Sequence, residues 1–112
     1  GNKLQYLPEL PNSLQKINCY KNVLQELPKL PNSLVYLHSS YNLLQELPFI
    51  NNKIINEFEF EFRTNNIKYV NSKYLELNDD NKHLRYVLKN INLENNPFYK
   101  SSEYNVIINS KN

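Results

Sequence analysis

Apolar residues return along the first half of the chain with a period of 20: residues 4–14 read LQYLPELPNSL, residues 24–34 read LQELPKLPNSL, and residues 44–50 begin again as LQELPFI. A fixed period of this length points to stacked units, each too small to bury its apolar side alone. Between these segments lie LQKINCYKNVL (14–24) and LVYLHSSYNLL (34–44), which share one arrangement of apolar, small and asparagine positions. Alternation through Ile17 and Cys19 is the period-2 mark of a short strand. It turns Leu14, Ile17, Cys19 and Leu24 inward, with Leu34, Leu37, Ser39 and Leu44 stacked beside them in a parallel sheet. The same alternation faces Lys16, Asn18 and Tyr20 outward from the first unit and Tyr36, His38 and Ser40 from the second. Lys21 and Tyr41 follow at the next outward position.

Asn22 and Asn42 fall at inward positions, where a polar side chain costs free energy unless it is hydrogen-bonded. An amide both donates and accepts, so one per unit can satisfy backbone groups where the chain bends away from its strand, forming a ladder through the stack. The same frame puts Asn65 and Asn96 on that ladder. The intervening LPKLPNS carries Pro28 and Pro31. Proline lacks an amide hydrogen and disfavours a helical residue before it, so this segment is expected to be extended or polyproline-II-like, leaving the side opposite the strands thin.

After Ile50 the period breaks, and about three inserted residues restore it, with Phe60, Phe62, Asn65, Ile67 and Val70 at successive pattern positions. FEFEF (58–62) is then a strand with phenylalanines inward and Glu59, Glu61 and the following Arg63 outward. YLEL (74–77) reads as a further short strand. Leu84, Val87, Leu88 and Ile91 have helical spacing, which predicts a helix over 79–90, capped by Asn78 or Asp79. LKNINLENNPF (88–98) fits the pattern once more through Leu88, Ile91, Leu93, Asn96 and Phe98, facing Asn90, Asn92 and Glu94 outward. Residues 99–112 are expected to be a polar tail, with YNVII a possible added strand.

The pattern LxxLxLxxNxL, joined to LPxLP, resembles the short leucine-rich repeats of secreted bacterial effectors, including the leucine-rich-repeat ubiquitin ligases. It is at least as similar to repeat proteins of giant viruses, in which LPxLPNSL followed by LxxLxC recurs. The resemblance covers residues 2–50 and fades afterwards. It implies a leucine-rich-repeat solenoid over residues 1–98, with a curved parallel sheet on the concave side, a binding face along its strands, and Asn-Pro-Phe (96–98) as the closing turn. Asn2 and Leu4 match Asn22 and Leu24, so the array is expected to start in mid-repeat, as the C-terminal part of a longer one.

Composition narrows the function. Hydrophobic residues at 40% and charged residues at 21% suit a chain with a core rather than a disordered one. The 13 Lys and Arg are interleaved with 11 Asp and Glu, without the clustered basic face of a nucleic-acid binder. No apolar stretch approaches the length of a membrane span. Cys19 stands alone, and none of the 21 asparagines lies in an Asn-x-Ser/Thr sequon, both leaning toward a reducing, intracellular compartment. The one glycine is Gly1, so phosphate-cradling loops are ruled out. Cys19 falls inward, and His38 and His83 lie far apart without a second thiol, so neither nucleophilic nor zinc chemistry is expected. Glu59 and Glu61 share a face through strand alternation rather than as a metal or acid–base pair. No enzyme activity, cofactor or small-molecule substrate is expected. The expected role is to bind another protein through the face bearing Lys16, Asn18, Tyr20, Tyr36, His38, Tyr41, Glu59, Glu61 and Arg63. The alternative is a structural spacer or capping segment of a larger effector, for example the substrate-recognition part of a ubiquitin ligase.

Overall fold

The computed structural model of the chain describes residues 3–52 and 59–110. In order along the chain come strands β1 (Lys16–Asn18), β2 (Tyr36–His38), β3 (Glu46–Leu47), β4 (Glu59–Glu61) and β5 (Tyr69–Val70), helices α1 (Lys73–Glu76) and α2 (Lys82–Asn90), strand β6 (Ile91–Asn92) and helix α3 (Ser102–Ile108). Strands β1, β2, β4 and β6 lie side by side in that order as one parallel sheet. Ile17 stands beside Leu37, Leu37 beside Phe60, and Phe60 beside Ile91. The step between strands therefore lengthens from 20 to 23 to 31 residues while the inward column stays in register. A one-residue slip would turn every inward side chain to the opposite face, and the apolar column forbids it. The inserted residues fall within 53–58, outside the described residues, as does Phe58 of the FEFEF run.

The core is the stack of these columns: Leu24, Leu34, Leu37, Leu44, Leu47, Phe60, Phe62, Ile67, Leu84, Val87 and Leu93 are all buried. Cys19, Ser39, Phe62 and Leu93 occupy equivalent places in successive units, so the interior passes from small side chains to large ones along the sheet.

Four differences from the sequence reading have physical causes. First, one of the proline-bearing segments pairs: β3 and β5 form a separate two-stranded parallel sheet. Asn71, which follows β5 where the earlier units carry Pro28 and Pro48, donates its backbone N–H to Leu47 O at 2.9 Å, a bond proline cannot make. Second, YLEL is not a strand but lies in and just after α1. Asn71 Oδ1 accepts the Lys73 N–H at 2.9 Å and bends the chain into a turn of helix. That turn buries Tyr74 and leaves Leu75 and Leu77 exposed. Tyr74 O–H donates to Pro48 O at 2.7 Å and accepts the Ile50 N–H at 2.9 Å, and burial pushes its phenol well above the usual tyrosine range. Third, the helix expected over 79–90 begins at Lys82. Asn81 stands at the cap position in the left-handed region, and the Asp79 carboxylate caps from outside by accepting the His83 N–H at 3.0 Å. Fourth, the expected polar tail contains α3. Ser101 Oγ caps it by accepting the Tyr104 N–H at 3.1 Å, and Ile107 is buried. On the helical repeat, Tyr104, Ile107 and Ile108 share one side, which packs against the core. Arg85, buried in α2, ties the two helices by donating from Nε to Ile107 O at 3.0 Å.

Candidate functional site

The outward face of the main sheet is held in place by asparagines beneath it. Asn42 Nδ2 donates to Ser39 O and to Cys19 O of the preceding unit, both at 3.0 Å, and its Oδ1 accepts the Leu24 N–H at 3.0 Å. Asn65 repeats this with Phe62 O, Ser39 O and the Leu44 N–H, and Asn96 with Leu93 O, Phe62 O and the Ile67 N–H. Asn22 donates to Cys19 O and accepts the Leu4 N–H. Each asparagine thus binds the end of its own strand and the backbone of the unit before it.

The residue before each of these asparagines is left-handed: Lys21 (φ 61°), Tyr41 (φ 59°), Thr64 (φ 56°) and Asn95 (φ 62°). Non-glycine residues seldom adopt this region, and a β-branched threonine is its most strained occupant. The bend is what lifts Lys21 and Tyr41 to the rim of the face.

A second ladder runs along the opposite turn, and the sequence reading missed it. Ser33 Oγ lies 2.8 Å from Asn12 O and 2.7 Å from Leu14 O of the preceding unit. Asn52 Nδ2 reaches Asn32 O and Leu34 O in the same manner. The repeated PNS was the available signal, but Asn52 falls where the period breaks.

On the face itself, Tyr20, His38 and Tyr41 come together. The Tyr20 ring lies 4.8 Å from His38 and 5.7 Å edge-on from Tyr41, with Lys21 Nζ 5.9 Å from its centroid. His38 Nε2 meets Glu61 Oε2 of the next strand at 3.4 Å. Ser40, expected outward, is buried, and its backbone carbonyl accepts the Lys21 N–H at 3.0 Å. Lys16 and Glu59 flank Tyr36 in register, and Tyr36 is half-buried without a ring contact to any described residue. Asn18 is exposed, but its Oδ1 accepts the Tyr20 N–H at 3.0 Å, as Asn92 does for Glu94. Those two amides shape the strand ends. Arg63 is exposed at the edge of β4.

Chemically the face offers contact rather than reaction. Ser39 is buried and directs its hydroxyl to Glu61 O at 3.0 Å. Burial pushes the Cys19 thiol up to about 11, so its thiolate is scarce near neutral pH. Among the described residues no three of His, Cys, Asp and Glu gather to hold a metal ion, and no helix is long and apolar enough to cross a membrane. In comparisons with known proteins, no family model matches the chain, and neither a curated protein nor a solved structure matches it.

Proposed function

We propose that the chain is a protein-binding module of leucine-rich-repeat type, a solenoid array that engages its partner through the outward face of β1, β2, β4 and β6. The observation that carries this reading is the cluster of Tyr20, His38 and Tyr41: exposed or half-buried rings set at 4.8 and 5.7 Å over an asparagine-stitched backbone. Aromatic side chains fixed in this way lose little conformational freedom on contact, which is why they dominate binding energy in interfaces. The parallel register and the recurring asparagines support the repeat assignment. Lys16 and Lys21 lie at one end of the face and Glu59 and Glu61 further along, so the partner presents acidic groups to the first and basic groups to the second.

The test is affinity capture from an extract of the source cells by the full chain and its Tyr20→Ala, Glu61→Lys and Lys29→Ala variants. The wild type and Lys29→Ala, altered on the proline-bearing side, are expected to retain the same partner. Tyr20→Ala is expected to lose it, and Glu61→Lys to bind more slowly with an altered salt dependence. A partner lost only with Lys29→Ala would overturn the assignment of the face, and a wild type that captures nothing would favour the spacer reading.

A further inference from the structure

A second surface lies on the flank where the chain leaves each ladder asparagine. It is a groove of about 730 Å³. One row along it holds Val23 and Leu43, 36% and 48% exposed. A second row, one residue per unit, holds Tyr6, Glu26, Glu46 and Tyr69, with Glu46 and Tyr69 paired between β3 and β5. The tyrosines at its ends are 75% and 49% exposed. Large apolar side chains scattered singly over a surface need no explanation, but four gathered in one groove mark a site of contact.

The charges in the groove identify what fits it. No lysine or arginine lines it, and neither Glu26 nor Glu46 is ion-paired with a described residue. Glu46 Oε2 accepts Asn71 Nδ2 at 2.9 Å, which fixes its carboxylate without neutralising it. Both carboxylates line the groove, in the row that begins and ends with the two phenol rings. An acidic or neutral occupant would desolvate both carboxylates without compensation. A guanidinium or ammonium meets the carboxylates and the ring faces together.

We infer that this flank docks an extended, cationic segment of a protein, with arginine or lysine side chains set between Tyr6, Glu26, Glu46 and Tyr69 and alternate apolar side chains on Val23 and Leu43. The glutamines Gln25 and Gln45 beside the carboxylates offer donors and acceptors to the backbone of such a segment. The surface is independent of the strand face. The chain as a whole carries a net charge of +2, so attraction of a cationic peptide must be local.

The experiment titrates the isotopically labelled full chain with a blocked hexapeptide of alternating arginine and leucine, followed by amide resonances. Citrulline in place of arginine keeps the shape and removes the charge. The arginine peptide is expected to shift Val23, Gln25, Leu43, Gln45 and Tyr69 and to weaken as salt rises. The E26Q/E46Q variant should lose roughly tenfold in affinity with an otherwise unchanged spectrum. Leu43→Lys, at an exposed position, should abolish binding, whereas Tyr20→Ala should leave it unaltered. Equal binding of the citrulline peptide, undiminished binding by E26Q/E46Q or Leu43→Lys, shifts confined to the strand face, or no binding at millimolar peptide would each overturn the inference.

Discussion

Asn42 meets four backbone groups at once: the Leu24 N–H and the Cys19 and Ser39 carbonyls at 3.0 Å, and the Ser40 carbonyl at 3.4 Å. Asn42→Ala strands them in the interior and is expected to cost about 1 to 3 kcal/mol in denaturant unfolding. Asn32→Ala should cost less, since that side chain is exposed and, among the described residues, meets only Asn51 Nδ2 at 3.2 Å. An equal, negligible effect of both would dismiss the ladder as a stabilising element. Thr64 presents the opposite case, a β-branched residue held at φ 56°. Thr64→Asn relieves that strain and is expected to raise stability by about 1 kcal/mol; a lower unfolding midpoint would contradict it. At this scale the ladder asparagines and the inward leucines were legible, because an inward asparagine at a fixed place in each unit has few other uses. The left-handed residues were not. Lys21, Tyr41 and Thr64 carry no conformational signal of their own, and the tertiary hydrogen bonds around them impose the bend.

Among the elements, strands β1, β2, β4 and β6 could be read from the repeating pattern and its alternation, and α2 from its spacing of Leu84, Val87 and Leu88. The helices α1 and α3 could not. YLEL and YNVII are short apolar runs whose local preference is compatible with either state, and one buried side chain in each decides the matter: Tyr74 in α1 and Ile107 in α3. The pairing of β3 with β5 was equally hidden, resting on the backbone N–H that Asn71 has and proline lacks. Tyr74 is the clearest test of an element held by a single residue. Tyr74→Phe keeps the ring but leaves Pro48 O and the Ile50 N–H without their partner, and is expected to cost about 1 to 3 kcal/mol. Hydrogen exchange should show the loss as faster exchange at Ile50; unchanged protection there would mean that the ring alone holds α1.

In the molecule as a whole, among the described residues, each strand of the main sheet pairs only with its immediate neighbours, so stability is distributed along the stack. Phe60 lies between Leu37 and Ile91 and is buried, whereas Ile17 has a described strand on one side only and is half-buried. Phe60→Ala is therefore expected to cost about 3 to 5 kcal/mol and Ile17→Ala about 1 to 2. Equal losses in urea unfolding would argue against neighbour-by-neighbour stabilisation. The order of the strands was legible from the repeating pattern. The outward positions were legible in part, as alternation turned Tyr36 and His38 outward but also Ser40, which is buried. The clustering of Tyr20 with His38 and Tyr41 depends on side-chain orientation between units, which no linear pattern records.

The ladder has a bearing on how such a chain can change over generations. Every partner of Asn42, Asn65 and Asn96 within the ladder is a main-chain atom, which any amino acid supplies. A unit copied or deleted in frame by unequal recombination therefore finds its binding groups already waiting in whatever unit becomes its neighbour. The outward side chains are left free to diverge from unit to unit, so the number of units and the surface chemistry can be inherited and selected separately.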